Sequence, residues 1–453
     1  MSVYTAASHS IPQTSCRHSQ KCVPWWSPAC ARAVRLKRAA WGRYRYNRTA
    51  ERLLDFKQKR AIARRVICEA KRTCWQDYVS TITSASSMSA VWKKVRKLSG
   101  KYSPDPAPVL RVTGVDVANP LDVAIELGTH LLRISRGLHL CPSFLSSKSA
   151  RELVPLDFSS LREEQYNVPF TLQELEATLS ACRSSAAGPD DIHIRMLQHL
   201  HRSALVVLLH LFNLIWAQGV LPQLWKFAIV LPFRKLGTTG HDASHYRPIA
   251  LTSAVCKVME RLVNRRLMWH LETHNSLSAS QYGFRKGRST IDPLLRLDTY
   301  VRNAFANNHS VIAIFFDLEK AYDTTWRYNI LAQAHSLGLR GNLPSFLKNF
   351  LTDRHFRVRV NNVLSPDFVQ AEGVSQGCVL STTLFLHAIN DLASVLPPNI
   401  WSSLYVDDFA IACAGADCHL IAVSLQHAVD RVSTWATTHG FKFSSTKTHQ
   451  NFH

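Results

Sequence analysis

Acidic residues are scarce in this 453-residue chain: 32 Asp and Glu stand against 54 Lys and Arg, for a formal charge of +22. The scarcity is local. Residues 1–101 hold 22 Lys and Arg but four acids, Glu51, Asp55, Glu69 and Asp77. That rules out a uniformly basic globule and leaves a basic N-terminal segment joined to a nearly neutral globular part. A field of this sign attracts phosphate backbones. Long apolar runs are also lacking. The longest, Ala204 to Ala217, is broken by His210 and Asn213. It is too short to cross a bilayer and reads as a buried helix, so no membrane contact is expected. The N-terminus has no apolar core of the kind a secretory signal needs. The eleven cysteines form no Cys-x2-Cys pair and read as free thiols of a reducing compartment. Cys16, His18, Cys22 and Cys30 invite a zinc reading, but their spacing fits no standard site. No internal repeat is found.

Proline is absent between Pro28 and Ser80, and helix formers fill the gap. Arg32, Arg35, Lys37, Arg38, Arg43, Arg45, Lys57, Lys59, Arg60, Arg64, Arg65, Lys71 and Arg72 interleave with Trp41, Tyr44, Leu53, Phe56, Ile62, Val66, Trp75 and Tyr78. The three- and four-residue steps predict an amphipathic helix or a helical hairpin. Most charge runs are solvated faces. Here the balancing acids are nearly missing and aromatics alternate with cations, which favours nucleic-acid contact. A short helix is expected at Val91–Leu98, and Pro104, Pro106 and Pro108 mark a linker. Residues 110–168 are weakly patterned, and a compact domain is expected from near Val168. Thr171 and Glu174 form a capping-box signature. Gly188-Pro189-Asp190 reads as a turn leading into a helix. Strands are expected at Phe227–Pro232, Val311–Asp317, on both sides of Asn361-Asn362 and at Gly440–Ser444. Helices are expected at Ser253–Glu272, Thr290–Asn307, Trp326–Leu337, Leu343–Thr352, Leu380–Leu396 and near His419–Thr437. This mixture, without strict βαβ alternation, predicts an α+β fold with helices packed on one face of a sheet.

Two stretches ninety positions apart stand out. Ile314-Phe315-Phe316-Asp317 ends a buried-strand pattern on an acid. Leu404-Tyr405-Val406-Asp407-Asp408-Phe409-Ala410-Ile411 places two acids between apolar runs, as at the turn of a hairpin. Asp-Asp is also an ordinary hairpin turn. Yet carboxylates in apolar surroundings are costly, and adjacent ones repel. Three carboxylates from two neighbouring strands can hold two Mg²⁺ ions about 3.5–4 Å apart, the geometry of two-metal phosphoryl transfer.

Further segments stand around this pair in a fixed order: Gly188-Pro189-Asp190, Tyr246-Arg247-Pro248-Ile249-Ala250-Leu251, Gln281-Tyr282-Gly283-Phe284-Arg285-Lys286-Gly287-Arg288-Ser289-Thr290, and Asp317-Leu318-Glu319-Lys320-Ala321-Tyr322-Asp323. After them come Gly373-Val374-Ser375-Gln376-Gly377-Cys378-Val379-Leu380-Ser381, Tyr405-Val406-Asp407-Asp408, and Gly440-Phe441-Lys442-Phe443 with Lys447. Over about residues 180–450 this set resembles a reverse transcriptase, and more narrowly that of a Jockey/R1-like non-LTR retrotransposon. The resemblance implies a right-hand polymerase fold, fingers and antiparallel palm sheet, preceded by the basic helical segment. It implies residues 1–27 as a disordered junction, 28–101 as a basic helical linker, 102–167 as a weakly structured linker, and 168–453 as fingers and palm. No endonuclease precedes and no thumb follows in this reading.

The resemblance also implies roles. Asp317, Asp407 and Asp408 would hold two Mg²⁺ ions, with Mn²⁺ as an alternative. Lys235, with Arg234 as its rival, and Arg247 would clamp the triphosphate. Tyr322 would stack under the sugar and exclude a 2′-hydroxyl. Gln376 and Gly377 would line the nucleotide pocket. Gly283, Arg285, Arg288 and Tyr405 would touch template or primer, and Lys447 would protonate pyrophosphate. The implied partners are an RNA template, a DNA primer or target and dNTPs, in the nucleus or a cytoplasmic ribonucleoprotein. The chain departs from the pattern at Ser375 and Thr382, where proline is usual, at Cys378, where a small residue is usual, and at Val406, where alanine is usual. The competing readings are a catalytically inactive remnant that binds nucleic acid through its basic helices, and a viral RNA polymerase or intron maturase. Tyr322 speaks against the RNA polymerase. Gly188-Pro189-Asp190 and the Asp317–Asp323 segment speak against the maturase.

Overall fold

The computed structural model describes residues 24–81, 109–112, 114–137, 140–160, 164–235, 238, 240–444 and 449–452, which fall into two compact units. The first is the expected helical hairpin, α1 (Pro28–Tyr46) and α2 (Ala50–Val79). The Ser27 and Thr49 side chains accept main-chain N–H groups at the two starts, and Pro28 occupies the first helical turn, where no N–H is needed. Arg43 donates to Asp55 at 2.9 Å across the turn, and the Trp41 and Phe56 rings lie 4.8 Å apart. Among the described residues the hairpin's buried side chains are small: Cys30, Ala33, Ala40 and Ala63. The helix expected at Val91–Leu98, the proline linker, and Cys16, His18 and Cys22 lie outside the described residues. The nine described cysteines are free thiols.

The second unit begins with β1 (Leu110–Val112), β2 (Val115–Val117), α3 (Pro120–Ser135) and α4 (Pro142–Glu152). These residues were expected to be weakly structured, and the compact part was expected to begin near Val168; it begins by Leu110 instead. The reason is long-range packing. Val123, Ala124 and Leu127 of α3 bury against Val230, Phe356 and Val358, more than a hundred positions away in sequence. Gly128 allows the approach, since a Cβ there would run into the Phe368 ring. Lys148 of α4 bridges Glu152 at 2.8 Å and Glu372 at 2.9 Å.

Next come α5 (Leu172–Ala181), opened by the Thr171–Glu174 capping box, α6 (Ile194–Gln198) and α7 (Arg202–Gln218). The hairpin β3 (Phe227–Arg234) and β4 (Tyr246–Leu251) leads into α8 (Ala254–Thr273) and α9 (Ile291–Ala306). Then follow β5 (Ser310–Asp317), α10 (Ala321–Thr324), α11 (Arg327–Ser336), α12 (Asn342–Leu351), β6 (Arg354–Val360), β7 (Val363–Leu364) and β8 (Phe368–Gln370). The last elements are α13 (Leu380–Ala388), β9 (Trp401–Tyr405), β10 (Asp408–Gly415), α14 (Cys418–His439) and β11 (His449–Phe452). The fold is α+β.

One sheet runs β4-β3-β6-β7, with β8 also on β6, and its β3–β6 pairing is parallel. Another, antiparallel throughout, runs β11-β5-β10-β9. Alternation along this second sheet sorts its side chains. Ile312, Phe316, Phe409 and Ile411 enter the main core. Val311, Ala313 and Ala412 bury beneath Leu297, Tyr300 and Val301 of α9. Helices were expected on one face; both faces are covered instead, so the strands read as nearly continuous apolar runs.

Two other expectations need correction. The helix expected over Leu380–Leu396 ends at Ala388, because Asn390 is drawn out to donate to Ser276 O and accept from Ser278 N, both at 2.7 Å. The strand expected at Gly440–Ser444 is extended chain with one bridge, Phe443 to Leu318. It crosses the end of β5 through Ser444 N–H to Asp317 O and Glu319 N–H to Lys442 O, and the strand itself forms at His449–Phe452.

Thr382 stands in the first turn of α13, where proline would have made the chain more rigid. The structure supplies another brace. The Glu260 carboxylate, wholly buried on α8, accepts from Val379 N–H at 2.6 Å and Leu380 N–H at 3.1 Å, and the Cys256 thiol donates to its other oxygen at 3.5 Å. Anions are favoured at helix N-termini. Glu260→Ala strands those donors in the core and should destabilise the chain by about 2–4 kcal/mol, with Glu260→Gln milder. Urea denaturation of the variants checks this.

Candidate active site

Antiparallel pairing sets Asp317, the last residue of β5, directly opposite Asp408, the first of β10. Directly opposed residues share a sheet face with Cβ atoms about 4.5–5.5 Å apart, and like charges so placed are unfavourable. Asp407 sits in the two-residue turn between Tyr405 and Asp408. The other turn residue, Val406, has φ +59°, a left-handed conformation that β-branched residues rarely adopt. The turn is held from behind. Gln281 Oε1, fully buried, accepts from Val406 N–H at 3.3 Å and Gly283 N–H at 2.9 Å. A Cβ on Gly283 would lie 2.5 Å from Val406 Cγ2. The valine where alanine is usual therefore fits only because its neighbour has no side chain.

An open cleft of about 560 Å³ lies at this end of the sheet. Asp317, Asp407, Lys235, Arg247, Tyr322 and Gln376 all line it, so six residues singled out in the sequence meet in one place. Lys235 follows β3, and its N–H donates to His245 O at 2.8 Å beside β4, which carries Arg247. Its rival Arg234 is engaged elsewhere, donating to Thr238 O at 3.2 Å and Gly240 O at 2.7 Å. Tyr322 stacks on Phe385 of α13 at 4.7 Å between ring centroids. Burial, with the Asp407 carboxylate nearby, pushes its hydroxyl up to about 12, so it stays protonated.

The remaining candidates lie elsewhere. Asp408 is exposed, and Tyr405 faces it from β9. Gly377, with φ +130°, lies where any Cβ would collide with the Ala250 carbonyl oxygen. Its glycine serves the approach of the loop to β4. Arg285 donates to both oxygens of Glu272, at 2.8 and 2.5 Å, and to the Ser278 and Gln281 carbonyls. Arg288 donates to the Ala279 and Gln281 carbonyls and covers the Tyr282 ring. Gly283, Arg285 and Arg288 thus brace the segment that backs the Asp407 turn. Lys447 lies outside the described residues.

The structure adds residues that the sequence did not single out. His130, Leu131 and Ile134 of α3 wall the cleft. Burial and the cations Lys320, Arg133 and Lys235 hold the His130 ring below its usual range despite Asp242. The one signal for α3 was its apolar spacing Val123, Leu127, Leu131, Ile134. Asp323 also lines the cleft and is half-buried. Burial pushes its carboxyl up to about 6, although a hydrogen bond from Gln376 and the charges of Lys320 and Lys235 oppose this.

The residues suit hard cations. Opposed Asp317 and Asp408, with Asp407 at the adjoining turn, offer only carboxylate oxygens, the donors Mg²⁺ prefers. Among the described residues no closed group of three such ligands is preassembled, and Mg²⁺ commonly completes its shell with water and substrate phosphate.

Residues 235–452 match the family model for reverse transcriptases (RNA-dependent DNA polymerases). The chain is 27% identical over 426 residues to a probable RNA-directed DNA polymerase from transposon BS of Drosophila melanogaster, an alignment covering 92% of this chain and 45% of that one. It is 28% identical over 284 residues to the RNA-directed DNA polymerase from the mobile element jockey of Drosophila melanogaster, covering 61% and 31%. With the jockey polymerase of Drosophila funebris it shares 25% over 445 residues, covering 96% and 47%. The chain thus spans about half the length of such relatives or less. An apo telomerase structure from Candida tropicalis aligns over 55% of each chain at 14% identity with a TM-score of 0.38, too loose a match to carry an argument. Residues 235–452 thus match the reverse transcriptase family, and most of the chain is similar to the RNA-directed DNA polymerases of mobile elements such as jockey. Among the described residues no helix is long and apolar enough to cross a membrane.

The raised Asp323 carboxyl gives a stability test. Its folded pKa of about 6 lies above the usual 3.8, so the folded state favours the protonated form. That contribution is full below about pH 4 and is lost as pH rises through 6, leaving a penalty of about 3 kcal/mol at neutral pH. Asp323→Asn removes the charge and keeps an acceptor for Gln376. It should stabilise the chain by up to about that amount at pH 7.5 and hardly at all at pH 4, which denaturation at the two pH values will show.

Proposed function

We propose that the cleft is the nucleotide site of an RNA-directed DNA polymerase, with the β11-β5-β10-β9 sheet as palm and the β3–β4 hairpin as part of the fingers. The observation that carries the reading is the meeting of Asp317 and Asp407 with Lys235, Arg247, Tyr322 and Gln376 around one cleft. Asp317, Asp407 and Asp408 would hold two Mg²⁺ ions, which supply a lowered pKa for a primer 3′-hydroxyl and charge neutralisation at the leaving pyrophosphate. Lys235 and Arg247 face the cleft from the fingers side and offer fixed cations to triphosphate oxygens, whose charge grows during transfer. Tyr322, pinned by Phe385, presents a rigid ring against which a 2′-hydroxyl would clash. Template RNA, a DNA primer and dNTPs are the partners of this reading, and a nuclear or cytoplasmic ribonucleoprotein is its setting.

Primer extension on poly-rA/oligo-dT with Mg²⁺ tests it: dTTP should be incorporated and UTP largely refused. Tyr322→Ala should raise UTP use relative to dTTP by roughly one to two orders of magnitude. Unchanged discrimination would remove the gate role, and no incorporation by the wild type would favour a binding-only protein.

The α1–α2 hairpin is proposed as a backbone-tracking nucleic-acid contact. Among the described residues two ion pairs are found on it, Arg43–Asp55 and Arg72–Glu69, far fewer than its cations, and Trp41 and Trp75 stay about two-fifths exposed. If it neutralises about five phosphates of a single strand, affinity should drop by roughly two orders of magnitude over a fourfold rise in salt. Titrating an oligonucleotide against the full chain, before and after replacing Arg60, Arg64 and Arg65 with glutamine, measures that slope and its reduction.

A further inference from the structure

The roles above leave Asp323 unused. It lies in α10, six residues beyond Asp317, half-buried and bordering the cleft. Both of its oxygens accept from Gln376 Nε2, at 3.2 Å each. An ionised carboxylate only accepts hydrogen bonds. The Gln376 amide can therefore satisfy it in one orientation: nitrogen towards Asp323, and Oε1 turned away with no donor among the described residues. The main chain is fixed as well. Gln376 O accepts from Ala250 N–H at 2.7 Å, on the strand that carries Arg247, and Gly377 packs its bare Cα against the Ala250 carbonyl. Ser375 beside it donates to Gln370 Oε1 at 3.1 Å. Gln376 is thus clamped at backbone and side chain, which leaves Oε1 as its polar atom with freedom to meet a ligand.

We propose that Asp323 is a positioning residue for nucleotide binding: it orients the Gln376 amide so that the incoming nucleotide meets a carbonyl acceptor rather than an N–H donor. The group recognised there is a hydrogen-bond donor of the nucleotide. The inference rests on the cleft being a nucleotide site. It also explains why a carboxylate is kept where burial disfavours it. A neutral amide or a protonated acid at 323 can donate to Oε1 and let the Gln376 amide turn over. The charges facing this carboxyl are Lys320 beside α10 and Lys235 after β3. Tyr322 and Asp407 stand further along the same cleft.

The test measures dTTP binding to the full chain on an rA template with a primer ending in a dideoxynucleotide, so that no transfer follows. Asp323→Asn should fold normally yet weaken dTTP about tenfold at pH 7.5, the worth of one lost hydrogen bond. The mutant-to-wild-type ratio should shrink towards one at pH 5.5, where the wild-type carboxyl is itself largely protonated. Gln376→Leu should show a similar loss, and adding Asp323→Asn to it should change nothing more. Wild-type affinity in Asp323→Asn at pH 7.5, or an equal further loss in the double variant, would overturn the inference. A wild-type chain that holds template–primer but binds no dTTP would instead overturn the nucleotide-site reading, and the inference with it.

Discussion

Two like charges held face to face organise this end of the molecule. Asp317 and Asp408 are opposed because β5 and β10 pair in one register, and that register is enforced by alternation: a slip by one residue would turn Phe316, Phe409 and Ile411 out of the core. The repulsion is therefore set against the burial of several large apolar side chains, each contributing about 1.5–3 kcal/mol, and burial wins. The pairing of the strands beneath them holds the two carboxylates together.

The surroundings of the turn follow from that constraint. Val406 carries a left-handed backbone conformation, a cost of about 1–3 kcal/mol for such a residue. Gln281, Gly283, Arg285 and Arg288 hold it in place through a chain of hydrogen bonds that ends on Glu272 of α8. The same helix carries Glu260, whose carboxylate fixes the start of α13 and so the ring of Phe385 on which Tyr322 lies. One buried helix thus sets both the acidic turn and the aromatic wall of the cleft.

Clamping also ties the two sheets together. Gln376 links the loop before α13 to β4 through its carbonyl and to α10 through its amide. Arg327, nearly wholly buried, donates to the Gly373 and Gln370 carbonyls at 2.9 and 2.8 Å and fixes the other end of that loop. Lys235 and Arg247 reach the cleft from one sheet and Asp317 and Asp407 from the other, so their distance is set by these connections and not by either sheet alone.

By itself the sequence determined the local elements: runs of apolar residues marked β5 and β10, the Thr171–Glu174 pair marked a helix start, and the proline-free basic run marked an amphipathic helix or a helical hairpin. It also named six residues that line the cleft, because acids inside strand patterns and a fixed order of segments are written in the chain. Tertiary structure decided the rest. No local signal shows that α3 packs on a sheet more than a hundred residues away, since its apolar stripe names no partner. Arg285 and Arg288 read as nucleic-acid contacts until the fold supplied Glu272 and main-chain carbonyls to them. Asp323 looked like one more acid in a motif; only its partial burial and the Gln376 amide against it give its carboxyl a distinct chemistry. Burial and the choice of hydrogen-bond partner depend on residues distant in the chain, and no reading of neighbours along it can supply them.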